Sequence, residues 1–176
     1  MRKQLWGSVL ACMLFTTGAS AVLAAQVTKW FLGSPTTLLS TELNSLANNG
    51  FTAASATYNN TVGGGGGDGS VRCLIEGSFT FVAAPTPNSA VFVWFLKALD
   101  DTNFENTPTT SISLGRGPDV TLPVTGGQTS TRVSRLVECP PGLFKTVATQ
   151  QGTGQAMAAS GNTIKIRPVT IQGVSQ

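Results

Sequence analysis

Glu138-Cys139-Pro140-Pro141-Gly142-Leu143-Phe144-Lys145, followed by Gln155-Ala156-Met157-Ala158-Ala159-Ser160-Gly161-Asn162-Thr163-Ile164-Lys165-Ile166-Arg167-Pro168, is the stretch whose reading decides the fold class. Pro140, Pro141 and Gly142 can continue neither a helix nor a central strand, so they punctuate the chain. Residues 143–149 then read as a strand. Gly152 and Gly154 mark a turn, residues 155–159 a short apolar return, and Ser160-Gly161-Asn162 a second turn. Ile164 and Ile166 alternate with Lys165 and Arg167, the pattern of a half-buried strand. Three strands joined by tight turns predict an antiparallel meander.

Working outward, the same grammar repeats. Val71, Cys73, Ile75, Phe79 and Phe81 alternate with mostly polar residues, which predicts a strand with one buried face. Val91-Phe92-Val93-Trp94-Phe95-Leu96 is apolar without a break, so residues 90–99 are expected to form a central strand covered on both faces. Residues 119–124 and 129–137 complete the strands. Short strands separated by Gly, Pro and Asn turns predict an all-β protein, an antiparallel β-sandwich or jelly roll.

The N-terminal part reads differently. Arg2 and Lys3 precede a largely apolar run, and Ala19-Ser20-Ala21 and Val22-Leu23-Ala24 are small-x-small cleavage patterns, so residues 1–25 have the form of a secretory signal. The same residues also read as an uncleaved apolar arm. Val27 to Phe31 is an extended candidate. Leu39, Leu43, Leu46 and Ala47 share one helical face, with Ser34-Pro35 before them and Gly50 after, which predicts one short helix. The glycine run 63–67 lacks the following helix and Lys-Ser/Thr of a phosphate loop, and reads as a flexible linker. The expected layout is a signal-like segment 1–25, an arm with helix and linker 26–69, a β-sandwich 70–170 and a tail 171–176.

Composition narrows the chemistry. Only 11% of the 176 residues are charged and there is no histidine, which removes Ser-His-Asp and Cys-His catalytic sets and histidine metal ligands. From Gln26 onward nine Lys and Arg face eight Asp and Glu, a net of +1, which gives no electrostatic case for nucleic acid. Asp100, Asp101 and Glu105 are hard oxygen donors, but without full calcium-loop spacing they read as a solvated turn. Trp30, Phe31 and Trp94 offer faces for sugars, although large aromatics more commonly fill cores and interfaces. Of the three cysteines, Cys12 lies in the leading segment. Cys73 and Cys139 allow at most one intrachain disulfide; buried free thiols are the expectation, and export would favour the bond.

Several separated pieces resemble a family of small structural proteins of tailed-phage virions. Thr41-Glu42-Leu43-Asn44-Ser45-Leu46-Ala47-Asn48 is similar to the family's N-terminal segment. Val91 to Leu96 with Leu99-Asp100-Asp101-Thr102-Asn103-Phe104-Glu105 resembles its central strand and turn. Arg116-Gly117-Pro118-Asp119-Val120 is similar to an Arg-Pro-Pro-Asp pattern, with Gly117 departing from it. Pro140 to Lys145 and Ala159-Ser160-Gly161-Asn162-Thr163 resemble its C-terminal end.

The resemblance implies a non-enzymatic cement or decoration protein of β-sandwich or jelly-roll fold. Such a protein binds the outer capsid surface and stabilises the assembled shell, with no cofactor, metal or small-molecule substrate. Its expected partners are the major capsid protein and neighbouring copies of itself, and its expected location is the virion. Trp30, Phe31, Leu39, Leu43, Leu46 and Arg116 are the candidate partner contacts. The signal-like segment supports a second expectation, an exported bacterial β-sandwich that binds or adheres, with carbohydrate among its possible ligands.

Overall fold

The computed structural model describes residues 26–62, 69–108 and 116–175. The signal-like segment and the glycine run 63–67 lie outside these residues. The described chain forms nine strands: β1 (Gln26–Leu32), β2 (Thr36–Leu39), β3 (Tyr58–Asn60), β4 (Arg72–Thr80), β5 (Ala90–Lys97), β6 (Val120–Pro123), β7 (Ser130–Glu138), β8 (Gly142–Gln151) and β9 (Thr163–Ser175). They make two antiparallel sheets. One has the order β1-β9-β4-β7, with β2 also paired to β9; the other has the order β3-β8-β5-β6. Both sheets contribute to one core, an arrangement consistent with a β-sandwich.

Alternation explains the core. Cys73, Ile75 and Phe79 of β4 and Ile164 and Ile166 of β9 point inward from the first sheet. Val91, Val93 and Phe95 of β5, Leu122 of β6 and Phe144 of β8 meet them from the second. Phe95 packs edge-on against Phe144 at 5.1 Å between centroids. The unbroken apolar run needs a second cover, and finds one: Trp94, Leu96 and Val147 form a smaller cluster on the opposite face, closed by Phe51 and Ala54. Strand β5 accordingly lies between β8 and β6.

Three expectations change. The short helix is a single 3-10 turn, Thr41–Leu43, because Leu39 already ends β2 and Leu46 is carried past the turn. Its leucines reach the core from extended and turn backbone: Leu39 and Leu43 are fully buried and Leu46 nearly so. The predicted meander is not one sheet. Strand β8 belongs to one sheet and β9 to the other, and residues 152–162 cross between them. Within that crossing Met157 makes only an isolated bridge with Phe81, and its N–H donates to the Leu46 carbonyl at 3.0 Å.

Residues 50–60 run beside β8. Thr52 N–H donates to Ala148 O and Ser55 N–H to Thr146 O. In return Thr52 Oγ1 and Ser55 Oγ accept from the N–H groups of Ala148 and Thr146. Small hydroxyl residues thus replace regular strand acceptors along β8, a role that leaves no hydrophobic periodicity to read.

Cys73 and Cys139 are joined as a disulfide, with Cα atoms 5.3 Å apart, against the expectation of free thiols. Register brings them together. Cys73 is opposite Val137, and beyond the end of β7 the Cys139 N–H is tied to Val71 O at 2.9 Å, which places Cys139 at the core margin. A crosslink over 66 residues restricts the unfolded chain by roughly 4 kcal/mol in the chain-entropy picture.

Gly77 faces the core beneath the Phe79 ring, with Leu122 of the other sheet beside it. A Cβ there would meet the Phe79 ring at 2.6 Å and Leu122 at 3.0 Å. Gly77→Ala should therefore destabilise the fold by roughly 1–3 kcal/mol through overpacking. Part of the loss should be recovered when Phe79 is also made Leu. Urea unfolding midpoints test this, and an unchanged midpoint for the single variant would contradict the packing described.

Candidate interaction surface

Arg116 begins the segment that leads into β6, and that edge needs it. The β5–β6 ladder ends at Val93 opposite Val120, with Asp119 N–H donating to Val93 O. Beyond it, side chains continue the ladder. Asp119 Oδ2 accepts the Phe95 N–H at 2.7 Å, and Arg116 Nη2 donates to Phe95 O at 2.8 Å. Glu105 Oε2 accepts the Lys97 N–H at 3.1 Å. The three side chains are also bonded to one another: Arg116 Nη1 to Asp119 at 2.6 Å and Nη2 to Glu105 at 2.9 Å.

Partial burial pulls the guanidinium pKa down, but hydrogen bonds and charge from Asp119 and Glu105 outweigh it and raise it above its ordinary value. Arg116 thus has a full internal occupation. Its planar fork, matched to two carboxylates and a carbonyl, caps an exposed strand edge.

The Asp100 turn is similarly self-contained. Its Oδ1 accepts from the N–H groups of Thr102 and Asn103, and its Oδ2 from the Asn103 side-chain amide at 2.7 Å. Asp101 takes φ 60°, a left-handed position that Asp tolerates in turns. The carboxylate oxygens therefore already have partners. Among the described residues no three His, Cys, Asp or Glu side chains gather as metal ligands.

The remaining candidate contacts divide. Leu39, Leu43 and Leu46 are buried in the core, so the folded chain offers none of them to a partner. The β1–β9 pair does present apolar surface. Strand β4 leaves β9 at Arg72 opposite Val169, while β1 continues along β9 from Leu32 opposite Val169 to Gln26 opposite Ser175. Residues 170–175 therefore pair with β1 alone and form a two-stranded ribbon beyond the sheet. Trp30 (52% exposed), Leu32 (57%) and Ile171 (50%) crowd one face of its base, and Phe31 (44%) lies on the other. Trp30 stands opposite Ile171, and the Arg72 guanidinium lies 5.7 Å from the Trp30 ring centroid.

Sequence reasoning missed the distribution of charge. The strands of the first sheet carry Lys29, Arg72, Arg132, Arg135, Lys165 and Arg167 against Glu76 and Glu138. Four acids, Asp100, Asp101, Glu105 and Asp119, fall in the β5–β6 connection, where Arg116 pairs with the last two. A net charge of +1 conceals this segregation, because the count takes no notice of which strands become neighbours. Depressions mark the surface of the described residues. One, of about 440 Å³, lies over Glu76, Ser78, Arg132, Ser134, Thr163 and Lys165; another, of about 420 Å³, lies beside Asp119 and Pro140-Pro141. Compared with known families, curated proteins and solved structures, the chain matches none.

Two consequences are measurable. Asp119→Ala removes the acceptor of the Phe95 N–H and one anchor of Arg116, and should cost about 1–3 kcal/mol in denaturant unfolding. Asp119→Asn, which retains one acceptor oxygen, should cost less. Equal stability of all three proteins would refute the capping role.

The second concerns pH. Hydrogen bonds from Asn103 and Thr102 hold the Asp100 carboxyl below its ordinary value of 3.8. A depressed folded pKa means that the turn's contribution is present above the unfolded value and is lost as pH falls through the folded one. The Asn103 amide resonance should accordingly titrate with a midpoint below 3.8. A midpoint at or above that value would show that the turn bonds are absent in solution.

Proposed function

We propose that this chain is a non-enzymatic structural protein of a phage virion, a cement or decoration protein that binds the assembled capsid and stabilises it. The observation that carries the reading is the β1–β9 ribbon, an extension beyond the sheet with Trp30, Leu32 and Ile171 on one face and Phe31 on the other. An isolated two-stranded ribbon is marginal in water, and exposed aromatics on it favour a docked state. The capsid identity rests on the resemblance of the separated segments described above. The two-sheet body, read as a sandwich or jelly roll, would serve as a rigid mount. The partners are the major capsid protein and neighbouring copies of the chain, on the outer surface of the particle.

The mechanism is linkage. A protein that binds the closed shell and not its loose subunits stabilises the shell by its binding free energy. Contacts of this kind rest on a few buried aromatic anchors, which fits Trp30 and Phe31 better than Arg116, whose hydrogen bonds are used within the chain.

One observation favours a second reading. The Cys73–Cys139 disulfide suits an oxidising compartment, and residues 1–25 have the form of a secretory signal. That combination fits an exported bacterial β-sandwich that binds or adheres in the periplasm or outside the cell.

Purified virions of the encoding phage should contain the chain in many copies, and particles lacking it should release DNA at lower temperature. A folded variant with Trp30→Ala and Phe31→Ala should rebind depleted particles roughly thirtyfold more weakly, the effect of losing about 2 kcal/mol at an anchor. If the protein occurs only in periplasm or culture supernatant, cut near Ala21 or Ala24 and absent from particles, the exported reading replaces the virion one.

A further inference from the structure

We propose that the outer face of β7, β4 and β9 is a binding site for an acidic polysaccharide, one whose sugars carry carboxylates or sulfates. This inference does not depend on whether the chain rides on a particle or is exported.

Register builds the site. On an antiparallel sheet, residues directly opposite one another share a face. Ser78 of β4 stands between Arg132 of β7 and Thr163 of β9. One row along, Glu76 stands between Ser134 and Lys165, and the next row is Leu136, Leu74 and Arg167. The first two rows enclose the depression of about 440 Å³. It lies on the outer face of the sheet, so a linear chain can cross it without threading its end.

Charge and hydrogen-bonding capacity then select the ligand. Glu76 is already paired with Arg167 at 3.3 Å. Arg132 and Lys165 have no carboxylate partner among the described residues, so the site has two uncompensated cations. They occupy diagonal corners, separated by two inter-strand steps across and two residues along, roughly 12 Å between Cα atoms. A repeating acid on a polysaccharide can meet both.

Between them lie three hydroxyl side chains, Ser78, Ser134 and Thr163, and the Glu76 carboxylate. These are partners for sugar hydroxyls, which both donate and accept. Leu74 and Leu136 in the adjoining row provide apolar surface for the face of a sugar ring, and Leu136 is 47% exposed.

The same composition argues against other polyanions. A nucleic-acid surface would need a denser row of cations and aromatic platforms, and none of the depression's lining residues is aromatic. A carboxylate at the centre repels a continuous run of charge, such as a DNA backbone or polyglutamate. It suits a chain whose acids alternate with hydroxyls.

The test uses the full chain, with calorimetry and backbone-amide spectra. The probes are an alginate oligomer, which carries carboxylates, and a heparin-derived oligosaccharide, which carries sulfates. A neutral glucan oligomer, polyglutamate and duplex DNA serve as comparisons. One or both acidic glycans should bind and shift the amides around residues 76–78, 132–134 and 163–165. Binding should weaken as salt rises.

Arg132→Ala and Lys165→Ala should each weaken it several-fold, with folding verified by the amide spectrum. Arg135→Ala, opposite Ile75 and so on the other face of β7, should leave it unchanged. The proposal is overturned if neither acidic glycan binds, or if the perturbed amides map elsewhere. It is equally overturned if folded Arg132 and Lys165 variants bind as the parent does, or if polyglutamate or DNA binds as tightly as the glycans.

Discussion

Strand β9 is the constraint on which the first sheet depends. Over Thr163–Ser175 it hydrogen-bonds to β4 on one side and to β2 and β1 in succession on the other. Among the described strands of that sheet, β7 alone does not pair with it. Because the side-chain period is two, a slip of one residue in β9 would turn Ile164 and Ile166 outward and bring Lys165 and Arg167 into the core. That penalty holds the register. The register in turn sets the rows of the outer face and the point at which the β1–β9 ribbon leaves the sheet.

The second sheet is built around a different problem, a strand that is apolar on both faces. Val91, Val93 and Phe95 satisfy the shared core, while Trp94 and Leu96 need an independent cover. Residues 50–56 supply it, and they remain beside β8 through Thr52 and Ser55 rather than through a regular ladder. At the other edge the β5–β6 ladder is short, and Asp119, Arg116 and Glu105 take over its hydrogen bonds. Both devices substitute side-chain groups for missing backbone partners, so the interior strand has no unsatisfied edge where it is most deeply buried.

Two surface regions are left for partners, and they differ in kind. The ribbon presents exposed aromatic and aliphatic side chains with one nearby cation, Arg72. The β7-β4-β9 face presents hydroxyls and unpaired cations around a central carboxylate. The first suits burial against a protein surface, and the second suits a hydrated, acidic ligand. The two regions adjoin along β9, and the register puts Trp30, Leu32 and Ile171 on the same face as Arg72 and Glu76.

Much of this fold was legible in the residues themselves. Alternation in residues 71–82 and 163–167 and the apolar run of residues 91–96 determined which side chains would be buried. Gly, Pro and Asn determined where strands would stop, since these are local preferences of backbone and solvation. Tertiary structure alone decided the rest. The leucine spacing of Leu39, Leu43 and Leu46 matches a helix, yet burial against β8 and β9 draws the same residues into a strand end and one 3-10 turn. The pairing of Cys73 with Cys139 follows from the β4–β7 register over a separation of 66 residues. Arg116 could be identified as a charged turn residue, but its role depends on a carbonyl 21 positions away. The cationic face was hidden for the same reason: Arg132, Ser78 and Lys165 are distant in sequence, and only non-local strand pairing makes them neighbours.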